Sequence, residues 1–196
     1  MENTRTKTTR NSLILLLTAA IWGMAFVSQS KGMDYMHPFT FNGVRSLIGA
    51  ASILVYILIS RKIAGDKAAP LDWKLNVKAG LLCGIFLTIA STLQQFGIKY
   101  TSVGKAGFIT TLYIIFVPMF GIFLKKKVAP VVWAAAVMAA VGMYLLCMTE
   151  SLRLGAGDIM VFLCAIAFAI QIMTVDHYAA RIDGAVVSCI QFTVCG

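Results

Sequence analysis

The side chains best suited to chemistry in this sequence are polar groups embedded in long apolar stretches. Arg45 lies about six residues, or roughly 9 Å, inside the apolar run 38–60, and Asn42 three positions earlier shares its helical face. An arginine at this depth either faces a cavity, where it attracts an anionic group such as a carboxylate, or extends its long side chain to the water at the end of the run. The residues alone leave both interpretations of Arg45 open.

Neutral polar and aromatic residues lie in two other apolar runs. Gln94 and Gln95 fall near the end of one run, and Trp22 and Gln29 share one stripe of the first run. Such groups could complete a ligand-binding site around Arg45, and ordinary packing between helices is the alternative explanation for each of them. The candidate binding residues are therefore Arg45, Asn42, Gln94, Gln95 and Trp22.

Pro118 is a candidate hinge because it lies in the middle of the apolar run 106–124. A proline there removes one backbone donor, frees the carbonyl of Ile114 and predicts a kink in the helix. The kink could be purely structural, or it could be the point at which the helix moves.

Signatures of catalysis, metal binding and cofactor binding are missing from the sequence. The segment 103–106 resembles a Walker A loop only in part, because no serine or threonine follows Lys105. His37 and His177 lie at the ends of apolar runs without a nucleophile motif, and the five cysteines show no CxxC spacing. We expect no catalytic residue, no metal ligand and no cofactor, and we interpret Lys105 as an anchor at a membrane boundary.

The elements that must position these residues are helices that cross a bilayer. A hydrocarbon core of about 30 Å needs roughly 20 mostly apolar residues in helical form. Hydrophobic residues make up 59% of the chain and charged residues 13%, which is far from the balance of a soluble domain. Six runs meet the length requirement, and a seventh is unfinished: 13–30, 38–60, 79–98, 106–124, 130–148, 159–175 and 185–196.

The distribution of charge predicts the orientation of these spans. The formal net charge is +9, and 12 of the 17 lysines and arginines fall on the side of the N-terminus, with four on the other side and Arg45 inside a span. Positive residues concentrate on the cytoplasmic side of membrane proteins, so we expect a cytoplasmic N-terminus and a cytoplasmic loop at Lys125–Lys127. The basic character therefore reports topology, and we expect no nucleic-acid partner.

Two sequence patterns concern the packing of the spans. Gly80 and Gly84 form a GxxxG face, which predicts a close contact between helices without naming the partner. The triplet Ala19–Ile21 resembles Cys164–Ile166 at an offset of 145 residues, with five spans between the two starting points. Because an odd number of spans reverses the direction of entry, this offset predicts an inverted-topology repeat.

Taken in order, several short motifs resemble the EamA-type permeases of the drug/metabolite transporter superfamily. Trp22-Gly23 and Phe26 match the Trp-Gly-x-x-Phe signature in the first span. The segment Gly155–Arg181 is similar to the opening of the second repeat in that family. The other matching residues are Pro38, Arg45, Gln94–Gly97, Tyr100–Ser102, Lys105–Thr110 and Pro118.

The resemblance implies an all-α polytopic membrane protein with two inverted five-helix repeats around a central cavity. In this chain we expect a cytoplasmic N-terminal segment at 1–11, one complete repeat at 12–149, and the first one to two helices of an inverted second repeat at 155–196. Two repeats at an offset of 145 would need about 290 residues, so we expect a C-terminally truncated chain.

The function that the resemblance implies is secondary transport of small organic metabolites by a permease or exporter without a cofactor. A non-transporting membrane scaffold or receptor-like protein is the alternative. The expected partners are a small-molecule substrate and membrane lipids, and the expected location is a bacterial cytoplasmic membrane.

Overall fold

The computed structural model describes residues 4–65, 71–124, 128–147 and 155–196, and across these ranges it contains helices and no strand. The predicted all-α class is therefore confirmed. The helices are α1 (Thr4–Gly32), α2 (Pro38–Ala64), α3 (Trp73–Tyr100), α4 (Val103–Thr111), α5 (Tyr113–Phe123), α6 (Pro130–Cys147), α7 (Ala156–Tyr178) and α8 (Gly184–Cys195), with a single 3₁₀ turn at Ala179–Arg181.

Five segments within the described residues are long and apolar enough to cross a membrane, which makes the chain a polytopic integral membrane protein. The predicted spans 130–148 and 185–196 correspond to shorter apolar stretches, Pro130–Gly142 and Gly184–Cys195. The five long segments are Thr8–Gly32, Pro38–Ala64, Trp73–Tyr100, Val103–Phe123 and Ala156–Arg181.

Capping side chains set the start of several helices. The Asp72 carboxylate accepts a hydrogen bond from the backbone N–H of Leu75 at 3.0 Å and begins α3. The Ser102 hydroxyl accepts from the backbone N–H of Lys105 at 3.2 Å and begins α4.

Successive spans run in opposite directions, so we call the end at which α1 begins the proximal end of the bundle and the opposite end the distal end.

The central helix is α3, and its glycines allow two neighbours to approach closely. A methyl group added at Gly80 would lie 2.7 Å from Ile190 Cβ, and one added at Gly84 would lie 2.8 Å from Val194 Cβ. The partner of the predicted GxxxG face is therefore α8. At the distal end α3 meets α7, where a methyl group on Gly157 would lie 2.7 Å from the backbone carbon of Tyr100.

The predicted span 106–124 is interrupted at Leu112, which separates α4 from α5. The backbone N–H of Leu112 donates to the carbonyl of Ile109, and that of Ile115 donates to the carbonyl of Leu112, so the spacing of the hydrogen bonds tightens from four residues to three. Pro118 lies within α5, after this interruption. The sequence identified Pro118 as the irregular point of the span but not Leu112.

Four segments lie outside the described residues. They are residues 1–3 of the predicted N-terminal segment, residues 66–70, the predicted cytoplasmic loop Lys125–Lys127, and residues 148–154, at the junction of the two predicted repeats.

Candidate functional site

One turn of α3 carries three buried polar side chains, Ser91, Gln94 and Gln95. Ser91 lies three and four residues before the two glutamines, so the three side chains share one face of α3, and their polar ends contact different neighbours. This turn meets polar groups of α2, α4 and α8 and the residue that follows α1, and it forms the centre of the candidate site.

The first neighbour is Asn42 of α2, which is buried. Its amide Nδ2 donates to Ser91 Oγ at 3.0 Å and approaches the Cys195 Sγ of α8 at 3.6 Å. Ser91 Oγ and Cys195 Sγ lie 3.3 Å apart. These contacts fix the orientation of the Asn42 amide and leave its Oδ1 directed away from Ser91.

Arg45 is held by that amide. Its Nη2 donates to Asn42 Oδ1 at 2.9 Å, as expected for two residues three apart on one helix, and its guanidinium carbon lies 5.8 Å from the centre of the Phe41 ring. Among the described residues no carboxylate lies within ion-pair distance of Arg45. Within that part of the chain the half-buried guanidinium therefore has no counter-ion.

The two glutamines face different helices. Gln94 Nε2 lies 3.3 Å from Thr110 Oγ1 of α4, whereas Gln95 Nε2 lies 3.2 Å from the sulfur of Met33, the residue that follows α1. Gln95 is 0% exposed, and its Oε1 has no hydrogen-bond donor within the described part of the chain. A buried acceptor without a donor is costly, so this oxygen is available to a donor from water or a ligand.

Gln29 presents a second acceptor of the same kind. Its Oε1 is buried and lacks a hydrogen-bond donor in the described ranges. Gln29 lies one turn before Met33, the residue whose sulfur Gln95 contacts. Two buried amide oxygens in this part of the described chain therefore have unused accepting capacity.

Trp22 is not brought to this site. Its side chain is 51% exposed, and it lies two turns, about 10 Å, away from Gln29 along α1. Among the described contacts no hydrogen bond or ring pair involves Trp22. The structure thus groups Arg45 with Asn42, places Gln94 and Gln95 on the adjacent turn, and leaves Trp22 apart from them.

Three members of the site were not selected from the sequence: Ser91, Thr110 and Cys195. Ser91 lies three and four positions before the two glutamines, and this spacing is the signal that could have identified it. Cys195 shows no CxxC spacing, and nothing in its local sequence indicates a contact with Asn42.

A separate polar cluster joins the start of α4 to the start of α7 at the distal end. Asp158 is only 2% exposed, and its Oδ2 lies 2.7 Å from Lys105 Nζ. The same oxygen accepts from the backbone N–H of Gly155 at 2.9 Å, and Thr101 Oγ1 donates to Oδ1. We call the Lys105–Asp158 contact the distal ion pair. Lys105 was expected to be a membrane anchor, so its partner was missed.

A weaker ion pair lies at the proximal end. Arg61 Nη2 of α2 is 3.5 Å from Asp183 Oδ2, and both side chains are more than a third exposed. The backbone N–H of Asp183 donates to Asn76 Oδ1 of α3 at 2.9 Å. We call the Arg61–Asp183 contact the proximal ion pair.

A cavity of about 500 Å³ lies toward the proximal end, between α5, α6 and α7. Its walls are mostly apolar, and they include Val117, Pro118, Gly121, Val132, Ile172 and Met173.

The described residues contain no group of three or more histidine, cysteine or acidic side chains that could hold a metal ion.

Comparison with known proteins agrees with these features. The sequence pattern of the EamA-like transporter family matches residues 10–148. An uncharacterized transporter of Archaeoglobus fulgidus is 31% identical to the chain over 171 residues, which is 84% of this chain and 48% of the relative. The chain therefore spans about half the length of this curated relative. No solved structure matches it.

Proposed function

The chain belongs to the EamA-like transporter family, and from this membership we propose that it serves the secondary transport of small organic metabolites, as a permease or exporter. The proposed location is a bacterial cytoplasmic membrane with the N-terminus in the cytoplasm. Because the relative is about twice as long, the proposal concerns the activity of a longer protein in which this chain supplies part of the pathway.

The observation that carries the proposal is the uncompensated charge of Arg45. A guanidinium in a membrane span is costly unless it meets an anion, and among the described residues its hydrogen bond and its ring contact come from the neutral Asn42 amide and the Phe41 ring. A carboxylate or phosphate of a substrate would supply the missing charge, and the planar guanidinium can bind either group through two hydrogen bonds. The proposed substrate therefore carries an anionic group.

The free acceptors of Gln29 and Gln95 support the same proposal. Gln95 lies on the polar turn of α3, and Gln29 lies one turn before Met33, which Gln95 contacts, so a substrate held by Arg45 could direct a hydroxyl or amino group toward these acceptors. A scaffold protein would gain nothing from buried acceptors without donors, whereas a binding site uses them when the ligand arrives. Trp22 has no place in this arrangement and is dropped from the proposed site.

The proposed organisation is one five-helix repeat at 12–149 followed by the start of an inverted second repeat at 155–196. In support, α1 begins at the proximal end and α7 begins at the distal end, so the two helices enter the membrane in opposite directions. Pro118 lies on the wall of the proximal cavity, which supports its proposed role as a hinge.

The test is transport by vesicles that contain the full-length protein, assayed with a panel of labelled organic acids. We expect Arg45→Gln to abolish uptake or efflux while expression and membrane insertion persist, and Arg45→Lys to retain part of the activity because it keeps the charge but loses the planar fork. Lys99→Gln is the matched control, since it removes an exposed cation outside the site.

Undiminished transport by Arg45→Gln would assign Arg45 to contact with the headgroups. A wild-type protein that moves no member of the panel, yet retains stable protein partners, would favour the scaffold.

A further inference from the structure

The seam between α4–α5 and α7 is closed at its distal end by the distal ion pair. Asp158 accepts hydrogen bonds from Lys105 Nζ, the backbone N–H of Gly155 and Thr101 Oγ1, so both carboxylate oxygens are occupied. Lys105 remains 19% exposed, which leaves its ammonium group in reach of water.

Directly below the ion pair the seam is tightly packed. Ile98, Ala106, Ile109 and Val161 form a buried cluster, and the close approach of α3 to Gly157 seals the adjoining interface. Farther along the seam, the Phe116 and Phe162 rings pack edge to face at 5.5 Å between centres.

The same seam separates toward the proximal end. Beyond the aromatic contacts, Val117 and Pro118 of α5 stand apart from Ile172 and Met173 of α7, and the cavity of about 500 Å³ lies between them. The seam is thus closed at one end and open at the other, with the interruption at Leu112 and the proline of α5 between the two ends.

We propose that Lys105 and Asp158 are gating residues of the proposed transport cycle: the distal ion pair closes the pathway at the distal end, and its separation opens that end. This inference rests on the proposed function. The structure then corresponds to the state in which the distal end is closed and the proximal end is open.

The chemistry of the pair suits reversible closure better than permanent packing. A permanent contact between helices in a membrane is made most easily from small and apolar residues, as in the contact of α3 with α8. Two charges at the end of a span can separate into water when the seam opens, where hydration offsets the lost attraction. While the seam is closed, the attraction between the two charges stabilises the closed state. Loss of one charge would leave the other without its partner in the closed seam, which is costly.

The test measures opening directly, through a cysteine placed beneath the pair in the full-length protein. Ala106 is completely buried, so Ala106→Cys can react with a membrane-impermeant maleimide from the distal side only when the seam opens. We expect Asp158→Asn and Lys105→Met each to accelerate this reaction about tenfold, because the open population rises when the closed state loses its ion pair.

Two controls make the result specific. Asp183→Asn removes a charge from the proximal ion pair and should leave the distal reaction unchanged. The same variants with Ala106 retained measure the reaction of the native cysteines. Asp158→Asn keeps one acceptor oxygen, for either Gly155 or Thr101, and Lys105→Met leaves both of these hydrogen bonds in place, so a failure of one variant to fold does not end the test.

Unchanged labelling in either variant that inserts normally would overturn the gate. Accelerated labelling supports it, and this readout does not depend on the substrate. If labelling accelerates while the wild-type protein transports nothing, the proposed function fails and the opening of the distal end stands.

Discussion

At the scale of single residues, the pairing of Arg45 with Asn42 determines what the site can bind. Asn42 orients the guanidinium through its Oδ1 without neutralising it, because an amide carries no net charge. The Asn42 amide is in turn held by a hydrogen bond to Ser91, so two successive hydrogen bonds orient the guanidinium. Neither Asn42 nor Ser91 carries a charge, so the positive charge of Arg45 remains available to an anion.

Replacing this amide with a carboxylate should inactivate the site without changing its shape. Asn42→Asp would form an ion pair with Arg45 and satisfy its charge, so we expect at least a tenfold loss of anion transport at unchanged expression. The measurement is initial uptake into vesicles. Asn11→Asp, the same change at an exposed residue near the start of α1, is the control. Equal transport by wild type and Asn42→Asp would exclude a direct role for the Arg45 charge.

At the scale of helices, glycines on α3 decide which neighbours can pack against it. Gly80 and Gly84 admit α8, and Gly97 and Gly157 bring α3 and α7 together. In lipid the hydrophobic effect does not drive helices together, so this closeness supplies much of the attraction through dispersion contacts. The polar turn of α3 is positioned by these contacts with α7 and α8.

Adding one methyl group should therefore separate α3 from α8. At Gly84 the new atom would lie 2.8 Å from Val194 Cβ and 3.2 Å from the backbone of Gln191, so we expect Gly84→Ala to destabilise the fold by about 1–3 kcal/mol. Gly107→Ala is the matched control, because no neighbouring atom lies within 4 Å of its added methyl and alanine favours a helix. Thermal unfolding in detergent compares the two. A lower melting temperature for Gly107→Ala than for Gly84→Ala would contradict this account.

At the scale of the whole molecule, the two ion pairs lie at opposite ends of the bundle. The distal pair joins α4 to α7, and the proximal pair joins α2 to the turn before α8. If the N-terminus is cytoplasmic, the distal pair faces the outside of the cell.

Single cysteines placed at the two ends should report this orientation. We expect Val103→Cys to react with an impermeant maleimide in intact cells, and Ala64→Cys to react only after the membrane is permeabilised, because the positive charges favour a cytoplasmic N-terminus. The cysteines are introduced one at a time. Reaction of Ala64→Cys in intact cells would reverse the topology.

The sequence predicted features that depend on local composition. The spans follow from runs of apolar residues, and the shared face of Asn42 and Arg45 follows from helical spacing. The sequence did not reveal that Lys105 meets Asp158, because the two residues are 53 positions apart and their neighbours carry no mark of the pairing. The interruption at Leu112 was also missed, since no helix-breaking residue lies at that position.

The contact between α3 and α8 also has a consequence for synthesis. Gly80 leaves the ribosome 110 residues before Ile190, against which it packs in the finished bundle. At a translation rate of about 5–20 residues per second, the glycine face of α3 waits roughly 5–20 s for its partner. During that interval α3 must remain in the membrane with its small-residue surface facing lipid, the insertion machinery or another nascent helix. The glycine face of α3 is thus made well before the helix that packs against it.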